Sequence, residues 1–184
     1  CDVNGNAGLN MYVQLGISNA LPPATVLTLD GLNSVGRTVA LDLNGFDQTL
    51  AGLTNVPRNS RLQQILNSSA TPAILTVNNS DNYTFSGQLG YGSSTNFALT
   101  KTGAGTLTLS GSNICAGPTT ISTGKLLVNG SSELGTVTVE AGTPLGGNGT
   151  HRGQGRGLPG RAPSPRPGVN AGRPSLDGGL VGLL

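Results

Sequence analysis

The chain has 184 residues, 30 of them glycine, with only 10% charged and 3% aromatic residues. So few aromatics argue against a conventional globular core, because aromatic side chains carry much of the buried area. Recurring Val, Leu and Ile at low net charge argue against a disordered chain. The net charge of +2 is unevenly placed: residues 1–150 hold five cations (Arg37, Arg58, Arg61, Lys101, Lys125) against seven acids, whereas residues 151–184 hold five arginines against Asp177. The body offers no basic stripe, so nucleic acid is not expected as a partner.

Two cysteines, Cys1 and Cys115, allow at most one disulfide. A start at Cys1 rather than Met reads as a fragment or a processed form. No run approaches the ~20 apolar residues that a membrane helix needs.

In chain order, Tyr12-Val-Gln-Leu-Gly16 precedes a Pro22-Pro23 break, and Thr25-Val-Leu-Thr-Leu-Asp30 then alternates cleanly. The alternation places Val26, Thr28 and Asp30 on one face of a strand and Leu27 and Leu29 on the other. Gly31 to Gly36 reads as a turn, Thr38–Leu43 as a strand closed by Asn44-Gly45, and Thr49–Leu53 as the next strand. Arg61-Leu-Gln-Gln-Ile-Leu66 is the one place where a helical turn competes with a strand or an irregular link. Ala73–Val77 is a strand ended by Asn78-Asn79. Tyr83–Phe85, Phe97–Leu99, Thr106–Leu109, Thr119–Ile121, Leu126–Val128 and Val137–Val139 complete the series.

These runs are each long enough for one short strand, and glycine supplies the corners between them without a Cβ penalty. Short strands without hairpin turns favour a β-solenoid over a sandwich or a barrel. A solenoid fills a narrow interior with aliphatic stacks and satisfies its backbone from layer to layer. Thr, Ser and Asn fall at outward and corner positions, where ladders of like side chains form. The expected domain covers residues 1–150, with a repeat core at 85–131. Residues 151–184 form an Arg/Pro/Gly-rich degenerate rung or irregular tail. Within it, His151–Arg166 has no periodicity and is expected to be poorly ordered.

From Leu99 through Ser131 the chain resembles the autotransporter-associated β-strand repeat, also called the passenger-associated transport repeat. The residues that carry the resemblance are Lys101, Gly103, Gly105, Leu107, Leu109, Gly111, Asn113, Gly117, Thr119–Ile121, Gly124, Leu126 and Val128-Asn-Gly130. Leu41–Leu53 is similar to the rung that often precedes this repeat, and Val137–Gly142 with Leu145–Thr150 to the segment that follows it. Two positions depart from the pattern: Cys115 stands where the repeat usually has Tyr, and Pro118 where it usually has Gly.

The resemblance implies a right-handed parallel β-helix within the secreted or surface-displayed passenger of a bacterial type V autotransporter. It implies an outer-membrane β-barrel translocator of the parent protein as partner, with a cell-surface or glycan ligand if the passenger is an adhesin. The open ends of the helix carry unpaired strand edges, which invite self-association.

Catalytic readings are weak. His151 is the only histidine and lies in the aberrant tail, so a Ser-His-Asp or Cys-His device would have to use it. Cys115 has no basic neighbour in sequence and reads as a small buried thiol. Asp30, Asp42, Asp47 and Asp81 are dispersed, and turn capping accounts for each better than paired-carboxylate hydrolysis of glycosides. The glycine-aspartate nonapeptide of calcium β-rolls is absent, and Gly103-Ala-Gly105 is not followed by a helix, so neither calcium nor phosphate is expected. No cofactor and no catalytic residue is assigned. A structural role in secretion and display leads, an adhesin follows, and a carbohydrate- or ester-hydrolysing β-helix enzyme is third.

Overall fold

The computed structural model describes residues 11–30, 38–57, 62–90, 96–115, 117–131 and 135–150, and the backbone of 155–157. Among them there is no helix, and every strand pairing is parallel.

The first turn contributes β1 (Met11–Gln14) and β2 (Val26–Asp30). The second holds β3 (Thr38–Asp42), β4 (Gln48–Leu50) and β5 (Gly52–Val56). The third holds β6 (Leu62–Leu66), β7 (Ala73–Asn78) and β8 (Tyr83–Phe85). The fourth holds β9 (Gln88–Leu89), β10 (Phe97–Thr102) and β11 (Thr106–Leu109). Two shorter turns follow, with β12 (Thr119–Ile121) and β13 (Lys125–Val128), then β14 (Val137–Val139) and β15 (Leu145–Gly146). A last strand, β16 (Gly155–Gly157), pairs with β14.

Corresponding strands stack into sheets that run along the coil. One side is β1-β3-β6-β9, and a second is β4-β7-β10-β12-β14-β16. The third side is β2-β5 followed by β8-β11-β13-β15. Its two sections are joined by Thr54 Oγ1 donating to Thr84 O at 3.0 Å and by Ser86 N–H donating to Asn55 Oδ1 at 2.8 Å. The chain is therefore a parallel β-solenoid, and the solenoid expectation holds. Residues 61–66, where helix and strand competed, form β6 from Leu62 onward. The continuous ladder on each side explains the outcome: β6 bonds to β3 and β9, and a helical turn would leave both without partners.

The pleat decides what is inside. In β7 and β10 the buried residues alternate strictly, Ala73, Leu75 and Val77 in one strand and Phe97, Leu99 and Lys101 in the next. Register converts these positions into columns. Leu41, Ile65 and Leu89 form one column, Phe85, Leu109 and Val128 a second, and Tyr83, Leu107, Leu126 and Leu145 a third. These side chains, with Leu43, Leu50, Leu53 and Cys115, make one continuous core.

The turns shorten along the chain. Met11 pairs with Val39, 28 residues on, while Thr38 pairs with Leu62 and Phe97 with Ala73, steps of 24. Leu99 then pairs with Thr119, a step of 20, and Thr119 with Val137, a step of 18. The later shortening accompanies loss of the first side: among the described residues, isolated bonds continue it after β9, such as Ile114 N–H to Leu89 O at 2.7 Å and Asn113 N–H to Ser131 O at 2.9 Å.

Residues 151–166 were expected to be poorly ordered, but within them Gly155–Gly157 continues the second side as β16, because its backbone pairs with β14. His151 and the remainder of 151–184 lie outside the described residues, as does Cys1.

Candidate functional site: the corners of the repeat

Every residue singled out in the repeat falls on a core column or at a corner between strands. Leu107, Leu109, Ile121 and Leu126 are fully buried. Lys101 is the exception to the aliphatic rule. It sits in the inward column Leu50, Val77, Lys101, Ile121, Val139, with no exposed surface. Period-two alternation with Phe97 and Leu99 already places it on the inward face. What the sequence does not reveal is how a buried ammonium is satisfied.

The structure answers that at the corners. Lys101 Nζ donates to Thr102 O at 2.5 Å and Gly103 O at 2.9 Å, and reaches Thr123 O in the next turn at 3.5 Å. Three carbonyls from two stacked corners thus form its shell. Burial pulls its pKa down from 10.5 to about 8, because desolvation disfavours the charged form.

Gly103 and Gly124 turn the two corners with φ of +75° and +70°, a region that side chains rarely adopt. Neighbouring corners are plugged by other buried polar groups. Asn79 Nδ2 donates to Asp81 O at 2.6 Å and Thr106 O at 3.1 Å. Thr143 Oγ1 donates within hydrogen-bond range of Glu140 O at 2.7 Å and Ile121 O at 3.2 Å. Gly105 lies against Asn79, where a Cβ would come within 2.8 Å of Asn79 Nδ2.

A second corner carries a column of four glycines: Gly87, Gly111, Gly130 and Gly149. A Cβ on any of the last three would collide with the carbonyl of the glycine in the preceding turn. Asn113 is buried beside this column, and its Nδ2 donates to Gly111 O at 3.2 Å. Gly117 is also buried.

Asp42 was expected to cap a turn, and it does more. Its Oδ1 accepts the N–H groups of Asn44 and Ser68, both at 2.9 Å, and its Oδ2 accepts Ser68 Oγ at 2.6 Å and Gln14 Nε2 at 3.1 Å. One carboxylate therefore ties the first three turns together. Burial, the strongest influence, pushes its pKa up, but the donors from Ser68, Asn44 and Gln14 together outweigh it and hold the group below 3.8. Asp47 was also expected to cap its own turn, but its Oδ1 accepts Ile74 N–H at 2.8 Å, 27 residues on in β7, and so ties one turn to the next.

Cys115 is a free, fully buried thiol in the core, and burial raises its pKa to about 12. A thiol in that state is not a nucleophile. Phe85 and Phe97 are core residues. Among the described residues no three His, Cys, Asp or Glu side chains come together as metal ligands.

The outward face of the second side carries a ladder that the sequence alone only hints at. Thr49, Thr76, Thr100, Thr120 and Thr138 stand in register on five consecutive strands. Adjacent strands lie ~4.8 Å apart, so the hydroxyls form an evenly spaced uncharged row.

The fold and these corners define a class: a parallel β-solenoid whose turns are locked by stacked glycines and buried polar plugs. Within it, the family model of the passenger-associated-transport-repeat matches residues 99–128, from β10 through β13. The chain therefore carries an autotransporter-associated repeat, and the resemblance read from Lys101, Gly103, Gly105 and their neighbours is matched by the family model. No curated protein and no solved structure matches the chain.

Proposed function

We propose that this chain is a stalk segment of the secreted, surface-displayed passenger of a bacterial type V autotransporter, and that its turns support secretion and display. The observation that carries this reading is the repeat match at residues 99–128, on turns whose glycine corners lie against the main chain of the turn before.

Stability in a solenoid is a sum of nearest-neighbour terms. A chain delivered from one end adds each turn to a finished template. Few charges and few aromatics ease its passage through a narrow pore. The translocating partner in this reading is an outer-membrane β-barrel of the parent protein. The test is deletion of residues 99–130 from the full-length parent. Surface appearance should slow, and unchanged secretion would count against the role.

A second reading is an adhesin-type binding module, favoured by the five-residue threonine ladder. An evenly spaced, neutral hydroxyl row suits a neutral polyhydroxyl ligand such as a glycan. A glycan array probed with the purified chain tests it. Binding that disappears in the variant Thr100→Arg/Thr120→Arg supports the adhesin, and a blank array supports the stalk.

A further inference from the structure

Asparagine followed by glycine is a chemically fragile step. The glycine nitrogen attacks Asn Cγ, the Cγ–Nδ2 bond breaks, and ammonia leaves with the proton from the glycine nitrogen. Water then opens the cyclic imide at either carbonyl. One opening gives Asp, and the other gives isoaspartate, whose main chain runs through the former side-chain carbon. The attack needs the glycine N–H released from its acceptor and its peptide plane turned toward Cγ. Glycine favours that rotation because it has no Cβ to oppose it. The sequence holds four such steps. Asn44-Gly45, Asn129-Gly130 and Asn148-Gly149 lie among the described residues, and Asn4-Gly5 lies outside them.

In the three described steps the attacking nitrogen is already engaged. Gly45 N–H donates to Asn67 Oδ1 at 2.8 Å. Gly130 N–H donates to Leu109 O at 3.2 Å, and Gly149 N–H to Val128 O at 2.9 Å. The last two steps are stacked one turn apart, and Asn129 Oδ1 accepts Asn148 N–H at 3.1 Å. Both asparagines are exposed, so water reaches them. What the fold withholds is the main-chain rotation. Gly130 lies against the Gly111 carbonyl and Gly149 against the Gly130 carbonyl, and close-packed main chain leaves no room to turn. Gly45 instead faces the side chains of Ser69 and Thr71, which can move.

We propose that Asn129 and Asn148 are latent modification sites. The stacked turns keep both steps closed, an unstacked chain opens them, and isoaspartate formed at either one prevents that turn from stacking again. The added main-chain carbon lengthens a corner whose glycine already touches the turn before. It also draws the glycine N–H away from Leu109 O or Val128 O. The Asp product keeps the normal backbone, and at position 129 its carboxylate still accepts Asn148 N–H. Only isoaspartate is therefore excluded from the solenoid. The pair is a one-way chemical record of time spent unfolded, and water is the only co-reactant it needs.

The experiment ages the full 184-residue chain in mildly alkaline buffer, folded and in guanidinium, and counts Asp and isoaspartate at each position by peptide mapping. Conversion at 129 and 148 should be about tenfold or more slower in the folded chain, because it then follows the small population of opened turns. The isoaspartate fraction, isolated by chromatography and returned to buffer, should lose amide protection across β13 and β15. An unaged chain taken through the same cycle should keep it, and so should Asn129→Asp and Asn148→Asp. Equal conversion in the folded and unfolded chains overturns the proposal. So does full protection in chains carrying isoaspartate, or loss of protection in the two Asp variants, which would assign the effect to charge. None of these outcomes bears on the secretory role, which rests on the repeat and is read from export of the parent.

Discussion

Gly130 stacks directly on Gly111, one turn earlier, so closely that a Cβ at position 130 would come within 2.7 Å of the Gly111 carbonyl carbon and still nearer its oxygen. Gly111 stands in the same relation to Gly87, and Gly149 to Gly130. These glycines are required for space between two backbones. The obstacle is the neighbouring main chain, which cannot swing aside as a side chain can.

Gly111→Ala and Gly130→Ala should therefore each cost about 3 kcal/mol or more, as severe overpacking does. Gly16 is the control, because nothing lies within 4 Å of a Cβ built there. Gly16→Ala should be neutral or stabilise by up to ~1 kcal/mol through the unfolded chain. Urea titration of the three variants checks both statements. Equal effects at 16 and 111 would remove the stacking argument.

Lys101 gives the fold a specific pH dependence. Its pKa is about 8 in the folded chain against 10.5 ordinarily. Between those values the unfolded chain holds more protons than the folded one, so stability rises with pH. The penalty is fully present below pH 8. It is relieved by about 3 kcal/mol as the pH approaches 10.5. Lys101→Met should abolish that rise. The measurement is the difference in urea midpoint between the two proteins from pH 7 to pH 10.5, and a constant difference would contradict the assignment.

Asp42 acts at the opposite end of the scale. Its folded pKa lies below 3.8, so its contribution is present above that value and is lost as the pH falls through the folded one. Asp42→Asn turns an acceptor toward Ser68 Oγ and Gln14 Nε2 into a donor. The expected cost at neutral pH is ~1–3 kcal/mol. The variant should also show a shallower loss of stability below pH 4. Amide exchange should accelerate first in β1, β3 and the Ser68 corner. Unchanged exchange there would show that the three-turn tie is not used.

Cys115 should be inert in the folded chain. In a Cys1→Ser background, a disulfide reagent at pH 8 should label it only after urea unfolding. Rapid labelling under native conditions would contradict its burial.

Much of the fold could be read before any coordinates. Alternation in Ala73–Val77 and Phe97–Leu99 places their inward residues correctly, and the glycines of 103–130 mark the corners. Arg61–Leu66 could not be decided locally, because Leu-Gln-Gln-Ile-Leu suits a helical turn as well as a strand until β3 and β9 lie on either side. The candidate site was legible as a list of motif positions and illegible as an arrangement. Lys101 was recognisable as a repeat residue, but its carbonyl shell includes Thr123 from the following turn. Asp42 looked like one more turn cap, because its partners Gln14 and Ser68 are 28 and 26 residues away.

Pleat and backbone torsion act within a few residues, so order along the chain alone settles the strands, the corners and which side chains turn inward. Which residue lies above which is another matter. The step between turns drifts from 28 to 18 residues, and no fixed period predicts it. Only the summed contacts of adjacent layers choose that step, and with it the glycine column, the threonine ladder and the partners of Lys101 and Asp42.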